Sequence, residues 1–114
     1  MQIEVLKSKI HRVTVTEADI NYIGSISLDR NLINAAKLVV GEKVHVLNLN
    51  NGERIETYII EGKKNGEITV NGPASRKILK GDIIIIVSYC MISYEEAKNH
   101  KPTIIFPNEK TNIL

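Results

Sequence analysis

The sequence predicts a small, mainly β barrel with short helical pieces, and three observations predict it. β-Branched and aliphatic runs recur, among them Val44-His45-Val46-Leu47 and Ile83-Ile84-Ile85-Ile86-Val87. Such side chains favour a pleated, half-buried surface. Turn signals built on Asn and Gly separate the runs, at Asn50-Asn51-Gly52 and Lys63-Lys64-Asn65-Gly66. Only one segment, opened by Asp29, keeps a sustained helical spacing. Several short strands with Gly-containing turns and one short helix fit a barrel better than a helical domain.

Residues 2 to 16 alternate as a strand through Ile3, Val5, Ile10, Val13 and Val15. Residues 17 to 25 read two ways: Thr16 to Asp19 can cap a helical turn, or the segment runs extended to a turn at Gly24. Asp29 can cap a helix in which Leu32, Ile33, Ala36 and Leu38 share a face, ending near Gly41. Lys43 to Leu49 is a strand, and Arg54 to Ile60 returns beside it as the second arm of a hairpin. Alternation puts Arg54, Glu56 and Tyr58 on one face and Ile55, Thr57 and Ile59 on the other. A bulge would be needed to bring the two sets together. Glu67 to Val70 is a short strand and Asn71 to Ser75 a compact loop. Ile83 to Met91 is nearly continuous in apolar residues and is expected to be buried on both faces. Ser93 can cap a short helix through Glu95, Glu96 and Ala97, and Ile104 to Phe106 makes a last strand. The polar tail after Pro107 is expected to be mobile. Nothing marks a repeat or a linker, so a single domain over 1–114 is expected.

Hydrophobic residues make up 43% of the chain, enough for a core, and with no Trp and one Phe that core is aliphatic. At this size an oligomer would help to bury the surface. Fifteen basic and 13 acidic residues leave a net charge of +2, which does not call for nucleic acid or an anionic membrane. The one cysteine, Cys90, excludes an intrachain disulfide framework and suits a reducing cytoplasm. It reads as a buried, inert thiol. The first residues are too acidic, and their apolar run too short, for a signal peptide. No run approaches the roughly 20 apolar residues that a membrane span needs. A soluble, cytoplasmic protein is therefore expected. His45 and His100 lack partners at metal-ligand spacing, no Cys/His or acidic cluster suggests a metal site, and no Gly-rich phosphate loop is present.

The chemistry is concentrated at Gly24-Ser25. A serine hydroxyl can attack the preceding carbonyl and turn the amide into an ester. Elimination and hydrolysis of that ester leave a pyruvoyl ketone at a new chain start. Glycine suits the first position because it lacks Cβ and tolerates close approach. Lys9-Ile10-His11-Arg12 precede this bond, and Arg54, Thr57, Tyr58 and Asn71-Gly72-Pro73-Ala74 follow it.

Taken together, Lys9-Ile10-His11-Arg12-Val13, Thr16-Glu17-Ala18-Asp19, Tyr22-Ile23-Gly24-Ser25, Asn51-Gly52-Glu53-Arg54, Thr57-Tyr58, Asn71-Gly72-Pro73-Ala74 and Gly81-Asp82-Ile83 resemble the aspartate 1-decarboxylase family. Glu95-Glu96-Ala97 and Pro102 extend the resemblance over most of the chain. It implies a double-psi β-barrel and a homotetramer with active sites between neighbouring subunits. It further implies self-cleavage between Gly24 and Ser25 into chains 1–24 and 25–114, with Ser25 becoming the covalent pyruvoyl cofactor and no metal. The implied reaction takes L-aspartate to β-alanine and carbon dioxide, for pantothenate and coenzyme A synthesis. A pyruvoyl carbonyl condenses with the substrate amine to a Schiff base and accepts the electrons that decarboxylation leaves on Cα.

The resemblance also assigns roles. Tyr58 is the proton donor; a phenol with an ordinary pKa of about 10 is protonated at neutral pH. Thr57, Gly72, Pro73, Ala74, Arg54, Lys9 and Asn71 bind substrate. The Gly72 and Ala74 N–H groups can meet a carboxylate, Pro73 cannot donate, and Asn71 can hydrogen-bond the imine. Gly24, Ser25, His11, Tyr22 and Thr57 serve processing. Holding the departing carboxylate in the ground state would oppose its loss, so the more useful cation holds the carboxylate that stays. The sequence leaves open whether that is Lys9 or Arg54. Outside the motif each residue has a plain reading: Tyr58 and Thr57 as strand packing, Arg54 as an exposed hairpin cation, His11 as a structural histidine, and Asn71-Gly72-Pro73 as a turn. The chain departs from the family's usual pattern at Ile23, at Ser75 and Arg76, and in a trimmed loop between Ile60 and Glu67. Two other functions compete: a non-catalytic β-barrel module for a peptide or nucleic acid, and a pyruvoyl decarboxylase for another amino acid.

Overall fold

One long segment closes the sheet on itself. The computed structural model describes residues 1–114, with strands β1 (Gln2–Thr14), β2 (Glu17–Asp19), β3 (Ser25–Leu28), β4 (Lys43–Asn48), β5 (Arg54–Glu61), β6 (Ile68–Asn71), β7 (Ile83–Ser93) and β8 (Thr103–Ile105). The sheet order is β2-β6-β3-β5-β4-β7-β1-β8. β1 stands near one end of that order, and β2, its continuation after Val15 and Thr16, pairs at the other. Thr16 N–H donates to the Ile68 carbonyl at 2.8 Å where the chain crosses between them. The expected mainly β architecture, a curled sheet forming a small β-barrel with short helices, is therefore what the chain adopts.

The inner face is aliphatic. Seventeen buried residues form one hydrophobic cluster, including Ile10, Val13, Ile26, Leu28, Val44, Val46, Ile59, Ile68, Val70, Ile84 and Ile86. Each contributes about 1.5–3 kcal/mol by leaving water. β1 keeps both Ile10 and Val13 inward through a bulge, with His11 and Arg12 together opposite Ile85. Arg12 takes a left-handed φ of 59° there. At the hairpin, Gly52 adopts φ 75°, and β4 and β5 pair without a break from Leu47–Arg54 to Lys43–Tyr58.

Several expectations need correction. The helix α1 is shorter than its spacing suggested, Arg30–Ala35, with the Asp29 carboxylate accepting from Asn31 N–H as expected. Lys37 turns left-handed at φ 56° and stops it, so Leu38 reaches the core without being helical. The ambiguous residues 17 to 19 are strand, held by parallel pairing to β6 rather than by a helical turn. Asn71 to Ser75 is more ordered than a loop, because Gly72–Arg76 forms a 3₁₀ turn. β7 is not buried on both faces: Ile84 and Ile86 point inward, Ile83 and Ile85 are half-buried, and Tyr89 and Met91 are exposed. Cys90 is likewise half-buried rather than buried. Helix α2 (Tyr94–Ala97) is capped as expected, by Ser93 Oγ accepting from Glu96 N–H.

The tail is docked, not mobile. Asn112 is fully buried, and its side chain accepts from Thr14 N–H and donates to the Thr14 and Gly66 carbonyls, each at 2.8 Å. Thr14 Oγ1 also donates to the Glu109 carbonyl, and Arg12 Nε pairs with Glu109 Oε1 at 2.6 Å. Removing the amide strands buried backbone groups, each at a cost of about 1–3 kcal/mol. Asn112→Ala is therefore expected to lower stability by about 2–4 kcal/mol, measured by denaturant unfolding. A change within about 0.5 kcal/mol, the range of ordinary surface substitutions, would show that the strap carries no load.

Candidate functional site

β3 exists because its neighbours supply both ladders. It pairs antiparallel with β6, Ser25 opposite Asn71, and parallel with β5, Ile26 opposite Ile59. One residue back along that parallel register, Ser25 stands level with Tyr58; two back, Gly24 stands level with Thr57. Tyr58 in turn pairs with Lys43. Asn71, Ser25, Tyr58 and Lys43 thus form one row across the outer face, while Ile26, Ile59 and Val70 fill the inner one. As alternation predicts, Tyr58 is exposed, and Thr57 points the other way, half-buried. No bulge in β5 brings Thr57 and Tyr58 to the same face.

Ser25 is 1% exposed, and its hydroxyl is held from two sides. It donates to the Ile23 carbonyl at 3.1 Å and accepts from Asn71 Nδ2 at 3.0 Å. Gly72 follows at φ 67° and lies against the bond before Ser25. A Cβ there would fall 2.8 Å from Gly24 Cα and 3.1 Å from the Tyr22 carbonyl oxygen. Pro73 Cδ would lie 3.6 Å from a Cβ on Gly24, ordinary contact. Ser75 Oγ donates to the Gly72 carbonyl at 2.7 Å and ties the turn to itself. Ala74 is half-buried behind it, packed on the core. Tyr22 is 53% exposed and lines a cavity of about 450 Å³ together with Ser27, Thr69 and Asn71.

The remaining candidates share the outer face but not this row. Lys9 pairs with Val87, Val87 with His45, and His45 with Glu56, so these four make the next row. Arg54, Leu47 and Ile85 make a third, which ends at the His11–Arg12 bulge. At about 3.3 Å per residue, Arg54 lies roughly 13 Å along β5 from Tyr58. Lys9 is four strand spacings from Ser25, roughly 19 Å along the curved sheet. Arg54 Nη1 meets His45 Nδ1 at 3.1 Å, and His45 Nε2 lies 3.2 Å from Glu56 Oε1. His11 packs edge-on to Phe106, and its Nδ1 is buried without a hydrogen-bond partner. Burial lowers its pKa from the ordinary 6.5, Lys9 and Arg12 lower it further, and Glu109 opposes them.

Within one copy, then, Gly24, Ser25, Tyr22, Tyr58, Asn71 and Gly72–Ala74 gather at one end of the sheet, with Thr57 level but facing inward. Arg54 lies on β5, beside β3 but two rows from Ser25, and Lys9 and His11 lie on β1, four strand spacings away. Sequence reasoning missed Ser27, whose Oγ accepts from the same Asn71 Nδ2 at 3.1 Å. The signal was present in Ser25-Ile26-Ser27, where two hydroxyls separated by one apolar residue must share a strand face. Lys43 was missed as well, for its row appears only once β3 is placed on β5.

The fold and these rows define a small β-barrel whose polar chemistry is arranged around the bond between a half-buried Gly24 and a buried Ser25. The family described as aspartate decarboxylase matches residues 1–114, and the chain belongs to it. The chain is 64% identical to the aspartate 1-decarboxylase of Flavobacterium psychrophilum, over all of this chain and 99% of that one. It is 59% identical to that of Christiangramia forsetii, with the same coverage, and 53% identical to that of Cytophaga hutchinsonii over the whole of both chains. The protein is accordingly an enzyme, and its activity is aspartate decarboxylation. No helix is long and apolar enough to cross a membrane, and no three His, Cys, Asp or Glu side chains converge to hold a metal ion.

The Gly24–Gly72 contact supplies a test of the site. A side chain at Gly72 meets backbone at 2.8 Å in a left-handed conformation that L residues resist. Gly72→Ala is expected to cost at least about 2 kcal/mol and to displace the start of β3, measured by unfolding and by hydrogen exchange at the Ile26 amide. An unchanged stability with unchanged protection would contradict this packing.

Proposed function

We propose that the chain cleaves itself between Gly24 and Ser25, giving chains 1–24 and 25–114, and decarboxylates L-aspartate to β-alanine with the pyruvoyl group so formed. The observation that carries the reading is the Ser25 hydroxyl, buried directly after a glycine and fixed between the Ile23 carbonyl and Asn71 Nδ2. In cleavage Ser25 Oγ bonds to the Gly24 carbonyl carbon, the C–N bond breaks, and the hydroxyl proton passes to the nitrogen. Loss of the Ser25 Cα hydrogen then expels the Gly24 carboxylate, and water replaces the nitrogen, which leaves as ammonia. The residues present fit the group: Gly72 carries no Cβ, which would fall 2.8 Å from Gly24 Cα, and Asn71 offers an N–H beside Ser25 Oγ.

When formed, the pyruvoyl carbonyl supplies an electron sink for the pair that decarboxylation leaves on the substrate Cα. Tyr58, level with Ser25, holds its phenol proton and delivers it to that carbon. Asn71 and the Gly72 and Ala74 N–H groups orient the substrate. Lys9 or Arg54 holds the carboxylate that stays, and His11 serves the cleavage step. These cations lie too far from Ser25 within one copy, so a neighbouring subunit of a homotetramer supplies them. In this reading the site forms between subunits, and the product serves pantothenate synthesis in the cytoplasm. Near-neutral charge and scarce aromatic residues do not favour a nucleic-acid module.

Aspartate turnover by two variants tests this. Ser25→Ala is expected to stay one chain and form no β-alanine. Tyr58→Phe is expected to cleave normally and to lose about 100-fold or more in kcat. Full turnover by Ser25→Ala would overturn the reading.

A further inference from the structure

Asn71 carries a carboxamide nitrogen with two hydrogens, and each has its own acceptor. One points to Ser25 Oγ at 3.0 Å and the other to Ser27 Oγ at 3.1 Å. All three side chains are buried: Ser25 is 1% exposed, Asn71 2% and Ser27 6%. The two serines sit two residues apart on β3, on one face, and Asn71 spans them from β6. Thr69, directly opposite Ser27, turns its hydroxyl to Glu67 Oε2 at 2.9 Å rather than to Asn71.

We infer that Ser27 is a positioning residue, whose hydroxyl anchors one N–H of Asn71 so that the other stays on Ser25 Oγ during self-cleavage. The inference rests on the reading of Gly24-Ser25 as a self-cleaving bond. Ser25 Oγ has one rotatable bond, and two contacts fix it, the Ile23 carbonyl and the Asn71 N–H. Ser27 and Asn71 both line the 450 Å³ cavity, so solvent can reach the amide from that side. Without the Ser27 hydroxyl, water competes for the freed N–H and the carboxamide swings away from Ser25. The nucleophile then samples other rotamers, and attack on the Gly24 carbonyl becomes rarer.

The test follows loss of the full-length chain with time, by denaturing mass spectrometry, in freshly purified wild type and four variants: Ser27→Ala, Ser27→Thr, Asn71→Ala and the Ser27→Ala/Asn71→Ala double variant. Thermal midpoints are recorded alongside. Ser27→Ala is expected to slow cleavage about fivefold or more, the loss of roughly one hydrogen bond, with the midpoint unmoved. Ser27→Thr restores the hydroxyl and is expected to cleave near the wild-type rate. The double variant is expected to be no slower than Asn71→Ala alone, because Ser27 acts through that amide. Wild-type cleavage by Ser27→Ala, a Thr variant as slow as Ala, or multiplying effects in the double variant would each overturn the role of Ser27. A wild type that stays full length would overturn the self-cleavage reading itself.

Discussion

Gly24 and Gly72 approach so closely that a Cβ on Gly72 would lie 2.8 Å from Gly24 Cα. The site depends on that contact. It fixes where the 3₁₀ turn leaves β6, and so where Asn71 ends its ladder opposite Ser25. It also seats Pro73 against Gly24 and leaves Ser75 to tie the turn to itself. The antiparallel pairing on one side and the parallel pairing to β5 on the other then settle what Ser25 faces. At Gly72 the glycine is a packing requirement before it is a chemical one, whereas a Cβ on Gly24 would meet only ordinary contact.

The barrel divides the polar residues by rows rather than collecting them in a pocket. The aliphatic inner face takes alternate residues of β3, β4, β6 and the first part of β7 into the core. What remains outside is a grid whose spacing is set by the strands, about 4.8 Å across and about 6.6 Å along. Ser25 and Tyr58 fall within one step on this grid, and Lys9 and Arg54 do not. The β1 bulge adds a local exception: His11 and Arg12 are adjacent in sequence yet both stand opposite Ile85. The docked tail holds that bulge through Glu109 and Asn112.

Much of this was legible in the sequence where one local rule decided the outcome. The Asn51-Gly52 hairpin, the Asp29 and Ser93 caps, and the opposed faces of Thr57 and Tyr58 follow from turn chemistry, capping and alternation. Motif order drew attention to Gly24-Ser25 and Asn71-Gly72. What failed depended on distant partners. The polar ending of the chain suggested mobility, but a single buried Asn112 bonds to residues 98 and 46 positions away. The apolar run of β7 suggested burial on both faces, but its far end has no layer above Tyr89 and Met91. Helical spacing ran on to Leu38, but the left-handed turn at Lys37 ended the helix first. Ser27 escaped notice because its partner lies on another strand.

The central claim is that the Gly24-Ser25 bond is the reactive bond of this enzyme. Denaturing intact-mass measurement of the purified protein tests it most directly. The account predicts two fragments divided after Gly24, the larger lighter by one ammonia than a chain beginning with an intact Ser25. A single full-length mass that persists through prolonged warm incubation, in protein that nevertheless turns over aspartate, would contradict it.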